Sequence, residues 1–218
     1  MGFPLDVRLR VLRWSDRHCC LCKKSCGVNI EAHHIDHNSK NNDIDNAIPL
    51  CFECHGEVAH YDDDHPRGTK FHPEELKDRR EQVYEEFTSH LVPRINYGIR
   101  TTPKGFPDVG FFLEHASGHL PVRVEVKLKI KAKQRDCGPP PEHPFYDGRQ
   151  PWHLNPGLVQ TGHFALPAEI APDEKPEIVV YVSIQDIAER KHPWLPVAWK
   201  YSDRGKDSYW YLLPSPNS

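Results

Sequence analysis

The stretch EAHHIDHNSKNNDIDNAIPLCFECH, Glu31 to His55, sets two adjacent histidines ahead of a Cys-x-x-Cys pair that ends directly on a third. Imidazole titrates near neutral pH, so such a ring can move a proton or offer a lone pair to a divalent cation. Thiolates do different work. Cys19-x-x-Cys22 and Cys51-x-x-Cys54 form two knuckles with 28 residues between them, and four thiolates suit tetrahedral Zn²⁺. Six of the seven cysteines fall between Cys19 and Cys54, a concentration that argues for metal thiolates over disulfides. Cys20 and Cys26 crowd the first knuckle, but only Cys19 and Cys22 have the two-residue spacing. Cys137 stands alone and reads as a small core residue. A zinc held by four cysteines alone would simply staple a small domain; the intervening histidines are what such a staple does not need.

These residues need elements to position them. PLDVRLRVLRWSDRHC carries Leu5, Leu9 and Leu12 at helical spacing and runs straight into the first cysteines. HPEELKDRREQVYEEFTSHLVP predicts a second helix, with Pro73 and acidic residues in its first turn and an apolar stripe of Leu76, Val83, Tyr84, Phe87 and Leu91. Pro93 ends it. The pattern then changes: LPVRVEVKLKIKAK alternates strictly, placing Val122, Val124, Val126, Leu128 and Ile130 on one face of a strand. PEIVVYVSIQDI, PVAWKYS and DSYWYLL read as further strands, and CGPPPEHPFYDGRQPWHLNPG as a long Pro/Gly-rich connection. The expectation is an α+β chain with a metal-bearing domain over 1–95 and a mostly antiparallel β-sandwich over 96–218.

In order and spacing, CCLC, EAHHI, a polar loop, DNAIPLC and CFECH resemble the HNH endonucleases over roughly residues 5–90. The resemblance implies a treble-clef-like ββα-metal domain with flanking helices, clasped by structural zinc on Cys19, Cys22, Cys51 and Cys54. It implies that His34 is the general base for the attacking water and that Asn46 braces the loop and orients that base. His33 and His55 would be ligands of a catalytic Mg²⁺ or Mn²⁺, for which Ni²⁺ or Co²⁺ can substitute. The substrate would be DNA, cut to leave a 5′-phosphate and a 3′-hydroxyl. Some members carry a further helical histidine four residues after the first; here that position is Ala59. His60 and His65, in the loop HYDDDHPRG, are weaker candidates for completing the ligand set, with solvated loop histidines as the plainer reading. His37 reads as a turn residue, and His18 is unnecessary beside four cysteines. Lys40, Arg67 and Lys70 stand where a phosphate backbone could pass.

A competing motif lies in the second half. Asp108, Glu125 and Lys127 match a nuclease class in which two acids bind metal and a lysine assists, but a solvated strand face is the plainer account of Glu125 and Lys127, and this half does not look catalytic. No α/β/α pattern surrounds them. This half vaguely resembles immunoglobulin-like sandwiches, which bind, dimerise or sense; Trp152, Trp194, Trp199 and Trp210 are core or groove aromatics. The formal net charge of −3 excludes tight nucleic-acid binding by bulk charge. Residues 1–95 hold 13 Lys and Arg against 17 Asp and Glu, and residues 96–218 hold 15 against 14, so any basic surface must be local. No apolar run is long enough to span a bilayer, and the N-terminus lacks the apolar core of a signal peptide, so a cytoplasmic location is expected. The expected partners are DNA and, through the second domain, a second copy or another protein. A part in restricting foreign DNA would fit a nuclease joined to a sensing domain. The other reading is a zinc-stabilised binding module without activity.

Overall fold

A computed structural model describes residues 2–58, 71–133, 135–140, 146–194 and 196–214. The chain forms two compact units: Met1–Leu91 with Ala188–Arg190, and Val92–Ile187 with Lys191–Ser218. The first holds α1 (Leu5–Trp14), β1 (Ile30–His34), β2 (Ala47–Cys51), α2 (Phe52–Val58) and α3 (Pro73–Thr88). β1 and β2 are antiparallel, with Ile30 opposite Cys51 and His34 opposite Ala47. β2 is buried at all five positions, and α2 begins on the very next residue.

α1 does not bury the stripe its leucines predict. Val7, Val11 and Trp14 face the core, while Leu5 and Leu9 are exposed. Both sets have helical spacing, so the pattern admits either. Trp14 adds a polar anchor, its Nε1 donating to the Ala188 carbonyl at 2.7 Å within the same unit. In α3 the expected face is buried at Leu76, Val83 and Tyr84, with Arg80 among them. Arg80 donates to the Asp45 carbonyl and lies over the Tyr84 ring, so its charge is satisfied where its stem is buried. His72 caps this helix, its Nδ1 accepting from the Glu74 amide at 3.2 Å.

The second unit is built of strands: β3 (Arg94–Thr101), β4 (Asp108–Ser117), β5 (Val122–Ala132), β6 (Arg135–Asp136), β7 (Trp152–Leu154), β8 (Val159–Ala165), β9 (Glu177–Gln185), β10 (Lys191–Pro193), β11 (Val197–Ser202) and β12 (Tyr209–Leu212). β3, β4 and β8 form one sheet in that order. The other sheet runs β12-β11-β9-β5-β6, with β10 on β9 and β7 on β5. Every pairing is antiparallel. Ile99, Phe111 and Leu113 from the smaller sheet share one core with Val124, Leu128, Ile178 and Val180 from the larger. β5 keeps its alternation without a break from Val122 to Ala132. Each large aliphatic side chain so buried contributes about 1.5–3 kcal/mol. Trp152 and Trp199 belong to this core, and Trp194 and Trp210 pack against it. Within the Pro/Gly-rich connection, the described residues supply β7 and the fully buried Tyr146. Among the described residues no helix is long and apolar enough to cross a membrane.

Candidate metal centres and histidine cluster

The two cysteine knuckles close on each other because β2 carries the second back to the first. Cys19 and Cys22 follow α1 in a turn where the Lys23 amide donates to the Cys19 carbonyl at 2.9 Å and Lys23 takes a positive φ of 57°. Cys51 ends β2 and Cys54 lies in the first turn of α2. All four Sγ atoms lie within 4.8 Å of one another, and Cys22 Sγ is 3.9 Å from Cys51 Sγ. Tetrahedral zinc with bonds of about 2.3 Å sets its sulfurs roughly 3.8 Å apart, so the donor set fits a structural Zn²⁺. The packed thiols disturb one another. Burial and the neighbouring Cys51 and Cys19 push the Cys54 thiol up. Burial opposes ionisation of Cys51 too, but the Cys54 amide and the surrounding thiols outweigh it and hold Cys51 below its ordinary value. Among the described residues this is the group of three or more candidate ligands within such a distance.

The extra cysteines stay outside it. Cys20 is buried in the core, its thiol pushed up first by burial, and its amide donates to the Pro49 carbonyl at 2.9 Å. Cys26 Sγ lies 3.0 Å from the Lys24 carbonyl. His18 stacks on Phe87 and bonds the Asp16 carbonyl.

Three histidines, His33, His37 and His55, gather beside the same strand and helix. His33, the penultimate residue of β1, brings its Nδ1 to 3.3 Å from His55 Nε2 of α2, with the two rings edge to face. Two nitrogens bound at about 2.1 Å to one ion stand roughly 3.0–3.4 Å apart, so this pair can share a divalent cation. The His33 pKa is lowered to about 4, first by burial and then by His55, His37 and His34, which keeps its ring neutral at physiological pH. Its Nε2 is buried without a hydrogen-bond partner.

His34 points to the opposite face of β1. Its ring stacks on Phe3 with centroids 3.8 Å apart and planes 13° from parallel, and its Nε2 is also buried without a partner. Asn46, in the 3-10 turn before β2, ties the β1–β2 loop together. Its Oδ1 accepts from the Asp36 amide at 3.0 Å, and its Nδ2 donates to Asp36 Oδ1 at 2.7 Å and to the Asn41 carbonyl at 3.0 Å. The Asn46 carbonyl accepts from the Ile35 amide at 2.9 Å, directly after the histidine pair.

Glu31 and Phe3 escaped the sequence reading, and His37, read as a turn residue, is in a turn but also close to His33. Glu31 lies on the His33 face of β1, its Oε2 4.0 Å from His55 Nε2; the two-residue spacing on a strand was the available signal. His37, in a turn with φ of 57°, brings its ring 5.3 Å from that of His33. Phe3 had no local signal at all, because its stack with His34 joins distant segments. His60, His65, Arg67 and Lys70 lie outside the described residues. The competing set is split: Asp108 is on β4 of the smaller sheet, near His163 at 3.8 Å, while Glu125 and Lys127 are on β5 of the larger. Glu125 is engaged by Lys191 at 2.8 Å. No protein-family model matches the chain, and a search of curated proteins finds none significantly similar in sequence.

Proposed function

We propose that the chain is a metal-dependent endonuclease of the HNH class that hydrolyses phosphodiester bonds in DNA. The observation that carries this reading is the pairing of His33 Nδ1 with His55 Nε2 at 3.3 Å, separate from the four thiols. A structural staple requires the cysteines alone. A binding module gains nothing from two facing imidazoles at a distance that can share a cation.

A divalent cation held by His33 and His55 would supply neutralisation of the charge that builds on the phosphate. The resemblance assigns His34 to accept the proton of the attacking water, which requires its ring to leave the Phe3 stack and turn toward the His33 face. Phe3 limits how that ring can rotate, and Asn46 fixes the backbone that follows it. Glu31, beside His55, adds negative charge to a cluster of otherwise neutral ligands. The structural zinc on Cys19, Cys22, Cys51 and Cys54 keeps β2 and α2 in the register that brings His55 to His33. The second unit would serve targeting or regulation, as a contact for nucleic acid, a second copy or another protein.

The test is cleavage of supercoiled plasmid with Mg²⁺, Mn²⁺ or Ni²⁺ by wild type and His34→Ala. The expected result is cutting that disappears in the variant while zinc content is unchanged. Absence of cutting by both would favour the zinc-stabilised binding module. Equal cutting by both would remove His34 from its role and turn attention to Glu125 and Lys127.

A further inference from the structure

We propose that the outer face of the large sheet in the second unit is a nucleic-acid-binding surface that engages the phosphate backbone of duplex DNA. The inference deepens the nuclease reading and rests on it for the identity of the polymer. The alternation that buries Val122, Val124, Val126, Leu128 and Ile130 sends Arg123, Glu125, Lys127, Lys129 and Lys131 to the opposite face. Register extends that face across the sheet. Lys127 is opposite Tyr181 and Lys131 opposite Glu177 on β9; Glu177 is opposite Lys200 on β11, and Lys200 opposite Tyr211 on β12. Lys191 of β10 and Tyr209 of β12, opposite Gln185 and Ser202, complete it.

The face carries six cations and four carboxylates, Asp136 opposite Lys131 and Asp147 opposite Lys127 joining Glu125 and Glu177, on a chain whose formal net charge is −3. Three of these carboxylates are in ion pairs, Glu125 with Lys191 at 2.8 Å, Glu177 with Lys200 at 2.9 Å and Asp147 with Arg149 at 2.6 Å, and Asp136 Oδ1 accepts from the Gly138 amide at 2.9 Å. Arg123, Lys127, Lys129 and Lys131 are exposed and have no ion pair among the described residues. Successive residues on one face of an antiparallel strand are about 6.8 Å apart, which makes a straight row of charge. The aromatic groups are interleaved with it. Lys129 Nζ lies 5.5 Å from the centroid of the Tyr181 ring, and the Arg204 guanidinium lies 5.6 Å from that of Tyr209. A row of unpaired cations on a strand face matches a polyanion of repeating charge, and tyrosine hydroxyls add donors to phosphate or sugar. A purely solvated face would need neither the excess of one sign nor the aromatic neighbours. The location also explains how a chain without bulk positive charge could hold DNA: the attraction is confined to one sheet.

The experiment measures binding of a fluorescein-labelled DNA duplex to the full chain carrying His34→Ala, without added divalent cation, over a range of salt concentrations. One variant combines Arg123→Gln, Lys129→Gln and Lys131→Gln. A second makes the same change in net charge elsewhere, with Lys24→Gln, Lys77→Gln and Lys104→Gln. Zinc content and circular dichroism establish that both are folded. Each phosphate contact contributes about 0.9 to the slope of log affinity against log salt, so the face variant is expected to lose roughly 2.7 of slope and tenfold or more in affinity. The second variant is expected to stay within about twofold of the parent, since scattered charges make no phosphate contacts. The proposal is overturned if the parent does not bind duplex, if both variants bind like the parent, or if both weaken alike. Binding to phosphatidylserine vesicles but not to duplex also overturns it. Plasmid cleavage separates the two readings: His34-dependent cutting with a face variant that binds normally removes only the surface. Face-dependent binding without any cutting removes only the nuclease.

Discussion

The two units solve the same problem with different materials. The second buries long alternating strands, so Val124, Val126, Leu128 and Ile130 meet Phe111, Leu113 and Ile178 in one core that needs nothing but apolar area. The first buries less: two five-residue strands, short helices and a core that includes Cys19, Cys20 and Cys51 themselves. A metal can supply what so small a core lacks, because ligands brought together only by folding make metal affinity part of folding free energy. The difference bears on where the buried histidines sit. A surface organised by a metal clasp can leave His33 Nε2 and His34 Nε2 buried without partners, a state a marginal apolar core would not sustain unaided.

The sharpest way to break this comparison is to remove the clasp. Cys54→Ser, or chelation of zinc, is expected to unfold the first unit, because structural zinc contributes roughly 10–16 kcal/mol in small zinc domains. Hydrogen exchange should show protection lost across β1, β2 and α2 and retained across β5 and β9. Equal retention in both regions would show that the first unit does not depend on metal. The converse experiment is smaller in energy. Leu128→Ala opens a cavity beneath β5, where the side chain is 1 % exposed, and should cost about 2–5 kcal/mol in the second unit. Bound zinc, measured by mass spectrometry, should be unchanged.

Much of this contrast was legible in the chain, though unevenly. Strict alternation announced β5 and its buried face, and the knuckle spacing announced the four-cysteine cluster, because both are local consequences of geometry. Pairing order was not legible: β5 lies beside β9, and nothing in either sequence names the other as partner. The positions of His33, His34, Asn46 and His55 came from motif order, whereas Glu31 required a strand register and Phe3 a tertiary contact. α1 shows the limit most clearly. Its leucines and its valines both have helical spacing, and only the burial of Trp14 decides which side turns inward. Ala188–Arg190 likewise belong to the first unit although no local pattern separates them from the strands around them. Arg190 there reaches Glu81 at 3.2 Å and Glu85 at 2.9 Å, contacts that sequence separation hides.

Within the first unit, Asn46→Ala removes three side-chain hydrogen bonds that hold the β1–β2 loop. Leaving the Asp36 amide without its partner should cost about 1–3 kcal/mol. The loss should appear as faster amide exchange at Asp36 and Asn41, with zinc content intact. If the exchange rates do not move, the loop is held by its other turns and Asn46 is not its brace.

The smallest expected effect sharpens the same point through pH. Burial acts to raise the Asp36 pKa, but hydrogen bonds from the Asn41 side chain, the Asn38 amide and the Asn46 side chain outweigh it and hold the carboxyl below its ordinary value. A carboxyl whose folded pKa is depressed stabilises the fold at pH values above the unfolded pKa. That contribution diminishes as pH falls toward the folded pKa and is gone below it. Asp36→Asn should therefore lower stability near neutral pH and flatten its decline on the acid side of the ordinary carboxylate range. Both effects should be modest because the carboxylate is close to water. The variant belongs to the first unit alone, so the acid dependence of β5 and β9 protection should match wild type. An identical acid profile for the β1–β2 loop in both proteins would mean that Asp36 accepts those hydrogen bonds without contributing to the loop's stability. The loop geometry would then be set by the backbone turns on either side of Asn46.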